Sequence, residues 1–365
     1  MKIEYIDNLR GIGIMLIVLG HTSSPFSNYV YQFHVPLFFF ISGYLFNSAY
    51  FDNPIRFINK RINRLYLKYI YFGVTFILLH NIFFKLNIYN ISYNADATSI
   101  QLYNLKDTII EILKTIIFRN REQLLGGFWF IPALFLMESL YCLVGAVSLQ
   151  LKKTYNFKIY LLPIILIFFF LGNIISNFDV RLPYYLNIVF AQILFFYMGV
   201  LYRKNEERIH FNFYSALLIS IVLVFTSLYF NVDVSNNNHY SDKLPFAIAL
   251  ILFPFVALSG IYILIYIARN ITNKYISIFF QYVGRNTLFI LGVHFISFKI
   301  VSYLIILNYD LPLKLMSNFP YIDSIGLKCW WPLYWFVGLF VPLIIKFLFD
   351  KRYFFFNKTK IVDID

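Results

Sequence analysis

An arginine and a histidine eleven positions apart, Arg10 and His21, lie in the first apolar stretch of the chain. On a helix turning 100° per residue they fall about 20° apart around the axis and about 16 Å apart along it, so they share one stripe. A neutral imidazole can take a proton or accept an acyl group, and a guanidinium can hold an anion or offset charge on a carbonyl oxygen. Gly11, Gly13 and Gly20 thin the same helix, which lets a ligand or a neighbouring helix approach closely. Taken alone, the pair is explained equally well by an arginine reaching for headgroups and a histidine bonded to a carbonyl.

Other polar groups in apolar surroundings need a reason of the same kind, because each costs roughly 2.5–3.5 kcal/mol inside a bilayer. They are His34, Glu138 and His294. Chain order puts His34 in the outer part of the second span, Glu138 about ten residues into the fourth and His294 about eight into the ninth, so each reaches mid-depth. Between the second and third spans runs RFINKRINRLYLK, in which Arg61, Arg64 and Lys68 are spaced i, i+3, i+7 and predict one basic helix stripe. Such a stripe could grip a phosphorylated ligand, although anchoring at a membrane surface explains it as simply.

These residues have to be positioned by membrane helices. Of 365 residues, 60% are hydrophobic and 13% charged, and the mean hydropathy is +0.67; soluble domains carry roughly 25% charged residues. A water-facing surface cannot be covered with so few charges, which excludes a soluble enzyme, a disordered chain and a nucleic-acid-binding domain. Cys142 and Cys329 lie in separate apolar segments and build no disulfide framework. Apolar runs of bilayer length predict an all-α polytopic bundle of about ten transmembrane helices, near 11–24, 30–50, 66–84, 128–149, 159–176, 184–201, 211–230, 246–268, 286–307 and 331–349. With both termini in the cytoplasm, 21 of the 31 Lys and Arg residues fall inside and nine outside. That bias supports this orientation and accounts for the net charge of +13 without a polyanion-binding face. Residues 1–10 lack a signal-peptide pattern, so the first helix is expected to be retained. The transmembrane domain is expected over 1–350, followed by a short cytoplasmic tail, 351–365. In the outer loop 85–127, Asp107, Glu111 and Lys114 share a face opposite Ile109, Ile110, Leu113, Ile116 and Ile117, which predicts an interfacial helix.

The stretches IEYIDNLRGIGIMLIVLGH, YQFHVPLFFFISGYLF and RFINKRINRL, followed by GGFWFIPALFLMESLY and YVGRNTLFILGVHF, resemble the acyltransferase-3 family of integral-membrane acyltransferases. The resemblance is strongest over residues 5–65 and nearest to the branch of fucose 4-O-acetyltransferases and O-antigen acetyltransferases. Arg10 and His21 match the family's Arg-x10-His element, and Arg61 and Arg64 its Arg-x-x-Arg element. The resemblance implies a multi-pass enzyme of the bacterial cytoplasmic membrane, with acetyl-CoA as donor from the cytoplasm and a glycan or lipid-linked sugar hydroxyl as acceptor. It implies His21 and Arg10 as catalytic residues and Arg61, Arg64 and Lys68 as holders of the CoA phosphates. Asp7 would orient Arg10, His34, Glu138 and His294 would bind acceptor or support the site, and no metal is called for. Some relatives continue into a soluble extracytoplasmic domain that relays the acyl group, and no such relay is expected here.

Two other functions fit the composition. A glycan transporter or flippase would also bury ionisable groups among many spans, but it gives no reason for the Arg–His stripe beside Arg-x-x-Arg. A lipid-carrier glycosyltransferase generally needs acids in its first external loop, and residues 22–30 contain neither Asp nor Glu.

Overall fold

The computed structural model describes residues 4–89, 101–155, 160–178, 180, 182–229, 245–322 and 326–362, and every regular element among them is helical. Hydrocarbon offers the backbone no water, so each spanning segment must close its own hydrogen bonds. Six helices among the described residues are long and apolar enough to cross a membrane: Pro54–Lys85, Gln123–Tyr155, Pro183–Arg208, Phe246–Arg269, Thr287–Asn308 and Lys328–Asp350. Leu161–Asn177 and Phe213–Thr226 are apolar but shorter. Among the described residues the protein is all-helical, with the long apolar helices of a membrane protein.

The helices are α1 (Glu4–Gly20), α2 (Ser27–Tyr31), α3 (His34–Tyr44), α4 (Pro54–Arg61), α5 (Leu67–Lys85), α6 (Leu105–Ile116), α7 (Phe130–Tyr155), α8 (Leu161–Asn177), α9 (Leu186–Asn205), α10 (Phe213–Tyr229), α11 (Phe246–Arg269), α12 (Lys274–Arg285), α13 (Thr287–Asn308) and α14 (Trp331–Val362). A π-helical turn, Ile62–Tyr66, joins α4 to α5 without a break. The bundle has a basal end, where α1 begins: there the Tyr5 hydroxyl donates to Glu206 at 2.6 Å, and Lys153 pairs with Asp52 at 2.7 Å. At the distal end α1 stops, and Ser23 donates to the Lys328 carbonyl at 3.3 Å.

The apolar run 30–50 is not one helix: α2 and α3 meet at Gln32–Phe33, and α3 is buried along its whole length. The basal segment before α13 is also ordered, as the amphipathic α12 laid across α1. Close approach between helices falls where glycines leave no side chain. A β-carbon on Gly43 would strike the Phe196 carbonyl, and one on Gly199 the Phe40 carbonyl, so α3 and α9 touch backbone to backbone. Gly11 and Gly284 do the same for α1 and α12, against Phe280 and Asp7. With no hydrophobic driving force between helices in lipid, such contacts supply much of the packing energy.

The amphipathic segment expected in loop 85–127 is α6, opened by a capping box of Asn104 and Asp107. It does not lie flat across the end of the bundle. Tyr103 bonds Asn81 at the distal end of α5, Thr115 packs on Gly73, and Tyr66 donates to the Ile116 carbonyl at 2.9 Å, so α6 runs back along α5. Glu111 and Thr115 are buried, while Leu105, Ile109 and Leu113 are exposed. The polar face therefore meets protein and the apolar face looks outward. Residues 90–100 of this loop and the last three of the expected tail lie outside the described residues; the rest of the tail continues α14 to Val362.

Candidate functional site

At the distal end of α1 the chain leaves the helix through Thr22, Ser23, Ser24 and Pro25. The free carbonyls of the last turn are taken by the Thr22 hydroxyl, which donates to Leu19 at 2.7 Å, and by Tyr31, which donates to Gly20 at 2.5 Å. His21 keeps its amide bonded to the Ile17 carbonyl at 3.1 Å, so its ring stays on the stripe of the helix. Facing it is His294 from α13, which is buried, with its Nε2 at 3.0 Å from His21 Nδ1. The two rings stack at 5.1 Å and 16°, and Phe295 packs against both.

Hydrogen-bond partners fix the protons of this pair. His294 Nδ1 lies 2.9 Å from the Leu291 carbonyl, which can only accept, so Nδ1 carries the hydrogen and Nε2 the lone pair. His21 must then donate from Nδ1, which leaves its Nε2 as a lone pair with no hydrogen bond among the described residues. That tautomer leaves Nε2 as the nitrogen able to take a proton or to attack a carbonyl. The ring borders a cavity of about 390 Å³ walled by hydroxyls and an amide, from Thr22, Ser23, Ser24, Ser27 and Asn28, and by Lys328.

The second cluster lies toward the basal end. Glu138 on α7 is fully buried and receives Arg61 Nη2 at 2.7 Å; the Ser42 hydroxyl donates to the same carboxylate oxygen. The other oxygen and Arg61 Nε are buried without a partner. Leaving such atoms unpaired costs about 1–3 kcal/mol each, more when charged, so a polar ligand group there would recover energy. Arg10 bonds Asp7 at 3.4 Å and lies within Coulombic reach of Arg61 and Glu138. Asp7 is buried between Arg10 and Arg285, the latter at 3.0 Å.

Of the residues singled out in the sequence, the structure joins His21 to His294, Arg61 to Glu138 and Asp7 to Arg10. It does not keep Arg61, Arg64 and Lys68 on one surface. Arg61 continues the buried line of Phe57, Leu65 and Tyr69, whereas Arg64 and Lys68 are exposed beside it. Glu138 captures Arg61, and helical spacing carries no sign of that partner. His34 bonds the Val30 carbonyl at 3.0 Å, packs on Tyr31 and stands within Coulombic reach of His21. Sequence reasoning overlooked Arg285 and Ser42. It also overlooked His80, which bonds Glu122 at 3.1 Å and the Gln101 carbonyl at 3.0 Å, locking the segment after α5 against it. A histidine inside an apolar span was the available signal, the same one that marked His34 and His294.

Neither the curated proteins nor the solved structures provide a match. The family model described as acyltransferase domain, that of acyltransferase-3, matches residues 3–351, essentially the whole described chain. The polar clusters, the helical membrane fold and this match lead to one conclusion: the chain belongs to the acyltransferase-3 family.

Proposed function

We propose that the protein is a membrane O-acetyltransferase of the bacterial cytoplasmic membrane. It crosses ten times with both termini in the cytoplasm, and it moves an acetyl group from acetyl-CoA to a hydroxyl of a cell-surface or lipid-linked glycan. The observation that carries this reading is His21 itself: its Nδ1 is held by His294, its Nε2 has no hydrogen bond among the described residues, and the residue lines a polar cavity at the distal end. The acceptor sugar enters that cavity and presents its hydroxyl to Nε2. As the hydroxyl oxygen attacks the thioester carbonyl, its proton passes to His21; the C–S bond then breaks, and the CoA thiolate takes the proton back from the imidazolium.

The donor approaches from the basal end. Arg64 and Lys68, exposed on the π-turn and the start of α5, meet its phosphates first, and Arg61, half-buried against Glu138, and Arg10, against Asp7, stand deeper. Arg10 lies about 16 Å below His21 along α1, which suits the CoA arm better than the thioester carbonyl. His34 sits behind the acceptor cavity through Tyr31, which itself lines it. The test is mass spectrometry of the surface glycan from cells carrying wild type or His21→Ala at equal membrane abundance. The expected result is loss of one acetyl mass per modified unit; wild-type levels of acetylated glycan in the variant would remove the reading.

A further inference from the structure

A second cavity, of about 160 Å³, adjoins the first across the segment 319–321: Phe319 lines this one, and Pro320 and Tyr321 line the one at His21. Its wall combines aromatic residues, Tyr69, Phe128, Trp129, Tyr185 and Phe319, with polar ones, Asn120, Glu122 and Gln123, and the exposed Arg121 and Gly126 also line it. Gln123 is built into the wall only 4% exposed, and neither its Nε2 nor its Oε1 has a hydrogen-bond partner. A buried amide left wholly unpaired is a cost with no folding benefit, so a polar group bound beside it would recover energy. The backbone bends to the same end. Tyr184 and Tyr185 both adopt left-handed φ, 58° and 60°, which side chains with a β-carbon avoid, and the turn brings Tyr185 to 6.2 Å from Trp129. From this cavity to the histidine pair there are two ring contacts, Phe319 on Phe295 at 4.6 Å and Phe295 on His21 at 4.9 Å.

We propose that this cavity is a glycan subsite that holds a sugar unit flanking the one acetylated at His21. The aromatic rings take the apolar face of a pyranose, and Gln123 reads its hydroxyls with one donor pair and one acceptor. The volume suits a single sugar ring and is too small for a nucleotide. The proposal rests on the acetyl-transfer reading and adds to it that the acceptor is recognised as an oligosaccharide.

The experiment uses the purified full chain in lipid nanodiscs with mono-, di- and trisaccharide fractions of the host's own surface glycan and labelled acetyl-CoA. Gln123→Met keeps the side-chain length and removes both polar groups. The expected result is a rise of about tenfold in KM for the di- and trisaccharide, the loss of about one hydrogen bond's worth of binding. KM for the monosaccharide should not change, and the melting temperature should be equal or higher, because an unpaired amide has been removed. Unchanged KM for the longer fractions, or an equal rise for all three, would overturn the subsite. Binding is read separately, without acetyl-CoA, as the trisaccharide-induced change in tryptophan emission that disappears in Trp129→Phe. If wild type binds the trisaccharide in this way yet acetylates no fraction, the transfer reading fails and the subsite stands. If it acetylates all fractions with no preference for length, the subsite fails and the transfer reading stands.

Discussion

His294 never needs to touch substrate to matter. By accepting from His21 Nδ1 while donating to the Leu291 carbonyl, it selects which nitrogen of His21 is basic. Removing an orienting partner of this kind costs roughly 10–100-fold where a comparable outer partner has been lost. His294→Ala should lower kcat by about that factor and leave KM for acetyl-CoA unchanged, and His294→Gln, whose amide oxygen can accept from Nδ1, should recover part of it; steady-state kinetics on the purified protein checks both. Glu138 and Arg61 test a different quantity. Arg61→Ala strands a fully buried carboxylate, and breaking a buried pair costs about 3–5 kcal/mol. Glu138→Ala should be comparably harmful, while the double variant should be milder than the sum of the two. Thermal unfolding in one detergent, arranged as a double-mutant cycle, measures the coupling. These residue types were visible in the sequence because charge in lipid is conspicuous; their pairings were not, since each joins segments 77 or more positions apart.

Among the elements, the glycine crossings decide how close the site residues come. Gly284 faces the Asp7 carbonyl and Gly11, one residue from Arg10, so a side chain there pushes α12 off α1 exactly where Asp7 holds both arginines. Gly284→Val should destabilise by about 1–3 kcal/mol through overpacking and lower activity as well. Gly20→Ala meets only the Tyr31 ring, at 3.1 Å, and should cost less. Unfolding midpoints of the two variants, with acetyl transfer measured beside them, make the comparison. The π-turn between α4 and α5 and the return of α6 along α5 belong to this scale too. The two-faced period of α6 was legible in the sequence, while its capping box and the exposure of its apolar face came with the structure. Its direction along α5 was not, because Asn81, Gly73 and Tyr66 are ordinary residues until α6 meets them.

At the scale of the molecule, orientation governs everything proposed here, since acetyl-CoA is cytoplasmic and the glycan is not. The basal end carries Arg61, Arg203, Arg269, Lys274 and Arg285 on adjoining helix ends and loops. If that end faces the cytoplasm, a fluorescent protein fused to the carboxyl terminus should be bright and alkaline phosphatase at the same place inactive. The opposite pair of results would reverse the donor and acceptor sides. Composition decided that the chain is a membrane protein, because too few charges exist to cover a water-facing surface, and apolar runs of bilayer length made it helical, because hydrocarbon permits only self-satisfied backbone. The motif spacing likewise sufficed to put Arg10 and His21 on one stripe, because a single helix converts sequence distance directly into angle and rise. Tertiary structure alone decided that His21 is held by His294, that Arg61 turns in to Glu138 while Arg64 and Lys68 stay out, and that Gln123 is buried with nothing to bond. Those outcomes depend on which helices become neighbours, and helix contact in lipid is set by local shape and polar pairing between distant segments, which no periodicity along one chain encodes.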